Sequence, residues 1–153
     1  MLWLVYIIAF LGAFAGRIIS KFTKEELKAG RKYFLFGEQV ILLMLAGYFL
    51  YLSQINASVF IYFIIGFLLS LFFKEVYFYF ALAFIICITQ NNLILVSSLI
   101  FIYGLFHGSL GKKVYYILLY LILPIFFKNY LQYVYLYPLL AGSFFSLIFR
   151  KKQ

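Results

Sequence analysis

Long apolar runs, separated by short clusters of charge, occupy almost the whole of this chain. Hydrophobic residues make up 67% of its 153 positions, and charged residues only 11%. An ordinary soluble domain is about half apolar and about a quarter charged, so this chain has too few charges to cover a surface that faces water. The sequence therefore excludes a soluble domain and predicts an all-α, polytopic integral membrane protein.

The length of the runs predicts about seven transmembrane helices, since each needs about 20 mainly apolar residues. The expected spans are 1–16, 33–52, 57–73, 76–92, 93–110, 114–129 and 130–149. Together they form one transmembrane domain over residues 1–153, with no room for a separate soluble domain. The runs 76–92, 93–110 and 114–129 are short, so partly re-entrant helices stay open as an alternative for them.

The basic residues set the expected orientation, because lysine and arginine near span ends stay on the cytoplasmic side. Seven spans with the N-terminus outside and the C-terminus inside place every basic residue except Lys128 in the cytoplasm. We therefore expect a location in the cytoplasmic membrane of a prokaryotic cell. The net charge of +9 predicts the lipid bilayer and its anionic headgroups as partners of the basic loops, and no nucleic acid.

The first cytoplasmic loop, 17–32, has the pattern of a helix start near Lys24. Thr23 and Glu26 are spaced as a capping box, and Phe22 and Leu27 as a hydrophobic staple. The second helix would then begin well before the membrane and project into the cytoplasm. Its projecting turn is either a solvated charged face or a docking surface for a protein partner.

Glycines at matching positions suggest close helix packing and an internal repeat. Gly12 and Gly16 form a GxxxG pair in the first span, and Gly104 and Gly108 form another in the fifth. Two further matches follow in the same order along the chain. Residues 30–33 resemble residues 111–114, and the segment from Gly66 to Lys74 resembles the segment from Gly142 to Arg150. These matches favour two parallel three-helix units, joined by the fourth span as an inverting linker.

This three-plus-one-plus-three layout resembles the architecture of the sugar-efflux and PQ-loop transporters. In that class parallel repeats enclose a binding site near the membrane midplane. The resemblance is one of architecture alone, since the chain contains no Pro-Gln pair. It implies a carrier-like arrangement but assigns no binding residue.

The scarcity of reactive side chains argues against catalysis. The chain has no aspartate, only four glutamates, one histidine and one cysteine. It lacks the HExxH and GxSxG patterns of metallopeptidases and of serine hydrolases. We therefore expect no enzyme activity, no metal site and no cofactor.

A few polar residues inside or beside the runs are candidates for a solute or ion pathway. They are Glu38, Gln39, His107, Gln90, Asn91 and Asn92. An acidic side chain within a span is costly and usually faces a cavity, a partner or an ion path, which makes Glu38 the most informative of them.

Each candidate also has a simpler explanation. Glu38 is either paired with a basic residue such as Arg31 or Lys112 at the inner interface, or protonatable in a pathway. His107 either bonds a backbone carbonyl or partners Glu38 in a titrating pair. The polar turn 90–92 either caps two short helices or lines an external vestibule.

Three functions are compatible with these observations. The favoured one is a small carrier or channel for a small solute or ion, which predicts a water-accessible cavity touching Glu38. The alternative is a non-catalytic subunit or assembly factor of a larger membrane complex. The third is a lipid-modifying membrane enzyme, for which no chemical signature is present.

Overall fold

The protein folds into α-helices throughout the part described by the computed structural model, which comprises residues 2–53, 56–73, 75–88, 93–110 and 133–149. No strand occurs in these residues, which confirms the all-helical class. Six helices are present there: α1 (Leu2–Phe22), α2 (Lys24–Leu52), α3 (Ala57–Phe72), α4 (Val76–Ile88), α5 (Leu93–Ser109) and α6 (Tyr133–Phe149). The predicted span 114–129 and the residues Gln90, Asn91 and Asn92 lie outside the described residues.

Helix length bears on the membrane prediction. Among the described helices, the segment Ala29–Leu52 of α2 is the one that is both long and apolar enough to cross a bilayer. The apolar segments Ala57–Phe72, Val76–Cys87, Leu93–Ser109 and Leu136–Phe149 are shorter. The seven-span arrangement therefore stays a prediction.

The junction between α1 and α2 differs from the expected loop. The first helix does not stop at Gly16 but continues to Phe22, and α2 begins at Lys24. The predicted capping box is wrong, because the Thr23 hydroxyl donates back to the carbonyl of Ile19 at 3.0 Å and makes no cap hydrogen bond. The staple is also wrong, since Phe22 is 84% exposed. Thr23 is instead the single non-helical residue of a nearly continuous helical corner.

Glycines bring α1 and α5 into backbone contact. A methyl group built at Gly12 would overlap the carbonyl oxygen of Phe101, and one built at Gly16 would overlap that of Leu105. The two helices run parallel, because the contacting positions rise together along both of them. Ser109 adds a hydrogen bond across the interface, from its hydroxyl to the carbonyl of Gly16 at 3.3 Å.

The α3 and α6 helices meet in the same way. A methyl group at Gly66 would overlap the carbonyl oxygen of Leu139, and one at Gly142 would overlap that of Phe63. The Ser143 hydroxyl donates across the interface to the carbonyl of Gly66 at 2.9 Å. Both helix pairs therefore depend on glycine for a close approach that any other side chain would prevent.

Of the remaining two helices, α2 packs one face against α5 and α6, and α4 lies in the interior of the bundle. The α2 helix runs antiparallel to α6, since Gln39 contacts Ile148 near one end and Phe49 stacks on Tyr137 near the other. The α4 helix is buried almost completely, with every residue from Tyr79 to Cys87 except Leu82 inaccessible. The aromatic and aliphatic side chains of α4 therefore form much of the core.

Candidate functional site

Glu38 and His107 approach each other because the middle of α2 passes the end of α5. Glu38 is the central residue of α2, and His107 lies in the last turn of α5. Between the two helices, Phe34 and Phe106 pack edge to face with ring centroids 5.7 Å apart. Gly37 leaves room for this contact, since an added methyl group would come within 2.7 Å of the Phe106 ring. Aromatic packing beside a glycine thus sets the spacing of α2 and α5 at the site.

The two side chains form a buried polar pair. Oε1 of Glu38 lies 2.9 Å from Nδ1 of His107. The Glu38 side chain is completely buried, at 0% exposure, whereas the His107 side chain keeps 15%. At this distance one proton is shared by the contact, whichever of the two atoms carries it. The observed contact of Glu38 is therefore with a residue that is distant in the sequence, on another helix.

Two tyrosine rings enclose the imidazole. Tyr103, one turn earlier on α5, is stacked on His107 with ring centroids 5.5 Å apart, and Tyr77 of α4 meets it edge to face at 5.3 Å. Both tyrosines are almost completely buried. The imidazole is therefore held between one stacked ring and one ring at a steep angle. The Tyr77 hydroxyl is buried and has no hydrogen-bond partner within the described residues.

These tyrosines are not among the candidates predicted from the sequence. The sequence distinguishes neither Tyr77 nor Tyr103 from the other tyrosines of the chain. The signal for Tyr103 is its position four residues before His107, which places both side chains on one helix face. No spacing rule links Tyr77 to the pair, because it comes from a different helix.

Gln39 serves a different contact from its neighbour. Its Nε2 donates to the carbonyl oxygen of Ile148 near the end of α6, at 3.4 Å. Successive residues of a helix point in directions about 100° apart, so Gln39 faces α6 while Glu38 faces α5. The structure therefore brings together Glu38 and His107 but not Gln39, and the turn 90–92 lies outside the described residues.

The Glu38 side chain is inaccessible, so a water-accessible cavity at Glu38 stays a prediction. A groove of about 440 Å³ opens between α1 and α5 and is lined by Val5, Ala9, Ser97 and Phe101, among others. A smaller, polar hollow of about 370 Å³ lies at the corner formed by Lys21, Thr23 and Glu26. Neither is lined by Glu38 or His107, and of the two side chains only the imidazole has exposed surface.

The described residues contain no group of three or more histidine, cysteine, aspartate or glutamate side chains that could hold a metal ion. The carboxyl group of Glu38 and the imidazole of His107 can share a proton or form an ion pair. No family model, curated protein or solved structure matches the chain.

Proposed function

We propose that the protein is a polytopic membrane carrier or channel for a small solute or ion, with the Glu38 and His107 pair as its central polar site. The observation that carries this proposal is the complete burial of Glu38 against His107 in a bundle whose outer surface is apolar. A carboxyl group in such a position is costly to bury, and it is typical of substrate and ion pathways when it occurs within a membrane helix.

The distribution of side chains supports a lipid environment. One face of α1 and the outer face of α3 expose apolar side chains at helical spacing. On α1 these are Leu4, Ile7, Ile8, Leu11 and Ile18, and on α3 they are Phe60, Ile61, Ile64, Leu68 and Leu71. Contiguous exposed apolar surface of this extent is rare on soluble monomers. Exposed charges gather instead at the α1–α2 corner, at Lys21, Glu25, Glu26, Arg31 and Lys32. The pattern matches helices that cross a bilayer and emerge at that corner.

The glycine contacts support the proposed repeat. Gly16 lies against the carbonyl three residues before Gly108, and Gly108 lies against the carbonyl three residues before Gly16. The same reciprocal relation joins Gly66 and Gly142. The same contact in two helix pairs is expected if α1–α3 and the segment that ends with α6 are related units. Such units would pack around an approximate two-fold axis. Parallel repeats of this kind enclose a central site in several transporter folds.

The direction of the helices supports a position of the pair near the cytoplasmic face. His107 lies in the last turn of α5, beside Gly16 and Arg17 of α1, where α1 approaches the charged corner. In the orientation with the N-terminus outside, this end is the inner one. The described conformation then corresponds to a closed state, in which substrate access requires movement at His107.

A matched pair of glutamate variants tests the transport proposal. Glu38→Gln should abolish the flux of small cations and neutral solutes into reconstituted vesicles while the protein is still produced and inserted. Glu25→Gln changes the same side chain on the same helix, but at an exposed position, and should leave flux unchanged. Transport that is equal in the Glu38→Gln variant and the wild type would overturn the proposal.

A non-catalytic subunit or assembly factor of a larger complex is the second candidate. The closed surroundings of Glu38 favour it, because a purely structural pair needs no route for a substrate. The exposed charged corner at Lys21, Glu25 and Glu26 would be its docking surface. This candidate predicts specific co-purification of other chains, and a clean monomer in mild detergent would contradict it.

A further inference from the structure

We infer that the groove between α1 and α5 binds an acyl chain of a membrane lipid, whose ester carbonyl accepts a hydrogen bond from the Ser97 hydroxyl. The inference rests on the membrane location in the proposed function, but not on transport. It is also independent of the Glu38 and His107 pair, since neither residue of that pair lines the groove.

The groove opens near the beginnings of two parallel helices. Its wall on α1 extends from Val5 to Ala9, and its wall on α5 extends from Ile94 to Ile102. Its volume of about 440 Å³ lies within the range of small-molecule sites, about 300–1,000 Å³, which are mostly apolar with a few polar groups. The lining side chains are apolar except those of Ser97 and Ser98. A largely apolar ligand with a few polar atoms is therefore the class that fits.

The Ser97 hydroxyl is the unusual polar group of the groove. Ser97 is 5% exposed, and its buried hydroxyl has no hydrogen-bond partner within the described residues. The neighbouring Ser98 instead donates to the carbonyl of Ile94, four residues earlier, at 2.8 Å, as serine often does within a helix. A buried hydroxyl without a partner is costly. An acceptor on a ligand in the groove would remove this cost after rotation of the Ser97 side chain about its Cα–Cβ bond.

The surroundings of the groove favour a lipid as this ligand. On α5 the lining residues Ile94 and Ile102 are 74% and 40% exposed. On α1 the exposed apolar face that includes Leu4 adjoins the groove at Val5. In the proposed membrane location these surfaces face acyl chains, so the groove opens to lipid. Its apolar walls complement an acyl chain, and the Ser97 donor complements an ester carbonyl.

The order of polar and apolar groups along α5 matches the order of groups in a lipid. Ser97 lies four residues, or about 6 Å, after the start of α5 at Leu93, toward the end that is outside in the proposed orientation. Phe101 and Ile102 line the groove further along the same helix. A lipid of the outer leaflet likewise has its ester group toward its headgroup and its chain toward the midplane. Such a lipid would place its carbonyl on the side of Ser97 and its chain beside Phe101 and Ile102.

A comparison of two lipids tests the hydrogen bond. Native mass spectrometry of the purified protein in detergent micelles measures its affinity for a diacyl phosphatidylcholine and for the dialkyl ether analogue, which has the same headgroup but no carbonyl acceptors. The wild type should bind the ester lipid about fivefold more tightly, as expected for one hydrogen bond. Ser97→Ala should bind both lipids equally. Ser98→Ala should keep the preference, because the Ser98 hydroxyl already donates within α5.

A second pair of variants tests the groove itself. Val5→Trp fills the groove and should abolish the binding of both lipids. Leu4→Trp adds the same ring at a position that is 62% exposed and does not line the groove, so it should leave both affinities unchanged.

Equal affinity of the wild type for the two lipids would overturn the inference, and this comparison decides it even if Val5→Trp fails to fold. A second copy of the chain in the groove would appear as a dimer that Val5→Trp dissociates, and would also overturn it. None of these measurements involves flux. Loss of the lipid preference would therefore leave the transport proposal standing, and normal transport by Glu38→Gln would leave the lipid site standing.

Discussion

Two kinds of contact hold the helices together, namely packing at glycines and the polar contact between Glu38 and His107. They differ in how often they occur. Gly16 with Gly108 and Gly66 with Gly142 follow one reciprocal contact rule in two places. The polar pair occurs once, and the sequence gives it no counterpart: Ala15 precedes Gly16 where His107 precedes Gly108, and Leu119 follows Gly111 at the distance at which Glu38 follows Gly30. The glycine contact thus occurs twice, whereas the polar pair occurs once.

We interpret the glycine contacts as serving the stability of the bundle and the polar pair as serving its function. Residues that serve packing recur in both proposed units, because each unit must bury the same helix faces. Glu38 comes from the first proposed unit, His107 from the second and Tyr77 from the linking helix α4, so the site forms only where all three parts meet. Burying a polar group is costly, and a polar pair that occurs once while the packing contacts recur favours a functional role.

The largest expected effect is on the polar pair. His107→Leu removes the imidazole that Glu38 contacts at 2.9 Å and so breaks a buried polar pair, and the free energy of unfolding should fall by about 3 kcal/mol or more. Denaturant titration of the purified protein in micelles, followed by circular dichroism, measures it. The control Glu25→Gln, at an exposed position, should change stability by less than about 0.5 kcal/mol. A loss below about 1 kcal/mol in His107→Leu would show that the pair contributes no more than a surface ion pair.

A smaller effect is expected at the glycine contacts. Gly66→Ala places a methyl group against the backbone of Leu139, and separating the two helices should cost about 2 kcal/mol in the same titration. Gly47 is the matched control on α2, since an added methyl group there meets nothing within 4 Å. Gly47→Ala should be neutral or stabilise by up to about 1 kcal/mol. Equal losses at Gly66 and Gly47 would contradict the packing described for α3 and α6.

Several features were predictable from the sequence because each depends on local chemistry. The all-helical class follows from apolar composition, and the glycine pairs follow from their spacing. The contact between Glu38 and His107 is one of two alternatives that the sequence left open, since burial of an acid demands a partner and the chain offers a single histidine.

Other features were not predictable because they depend on which helix faces meet. The Tyr77 contribution arises from α4, whose run of aromatic and aliphatic residues is buried on nearly every side and so carries no face pattern. The capping-box prediction was wrong because Thr23 bonds back to α1 instead of capping α2. The closed surroundings of Glu38 likewise result from tertiary packing rather than from any motif.

The most direct test of the account asks whether the corner before α2 and the far end of α2 lie on opposite sides of the membrane. In a Cys87→Ala background, which removes the only cysteine, Phe22→Cys and Tyr51→Cys place thiols at positions that are 84% and 86% exposed. A membrane-impermeant maleimide applied to intact cells should label the cysteine at position 51 only, and should label the one at position 22 after the membrane is permeabilised. Labelling of both positions from the same side would contradict a membrane-spanning α2 and, with it, a cytoplasmic position for the Glu38 and His107 pair.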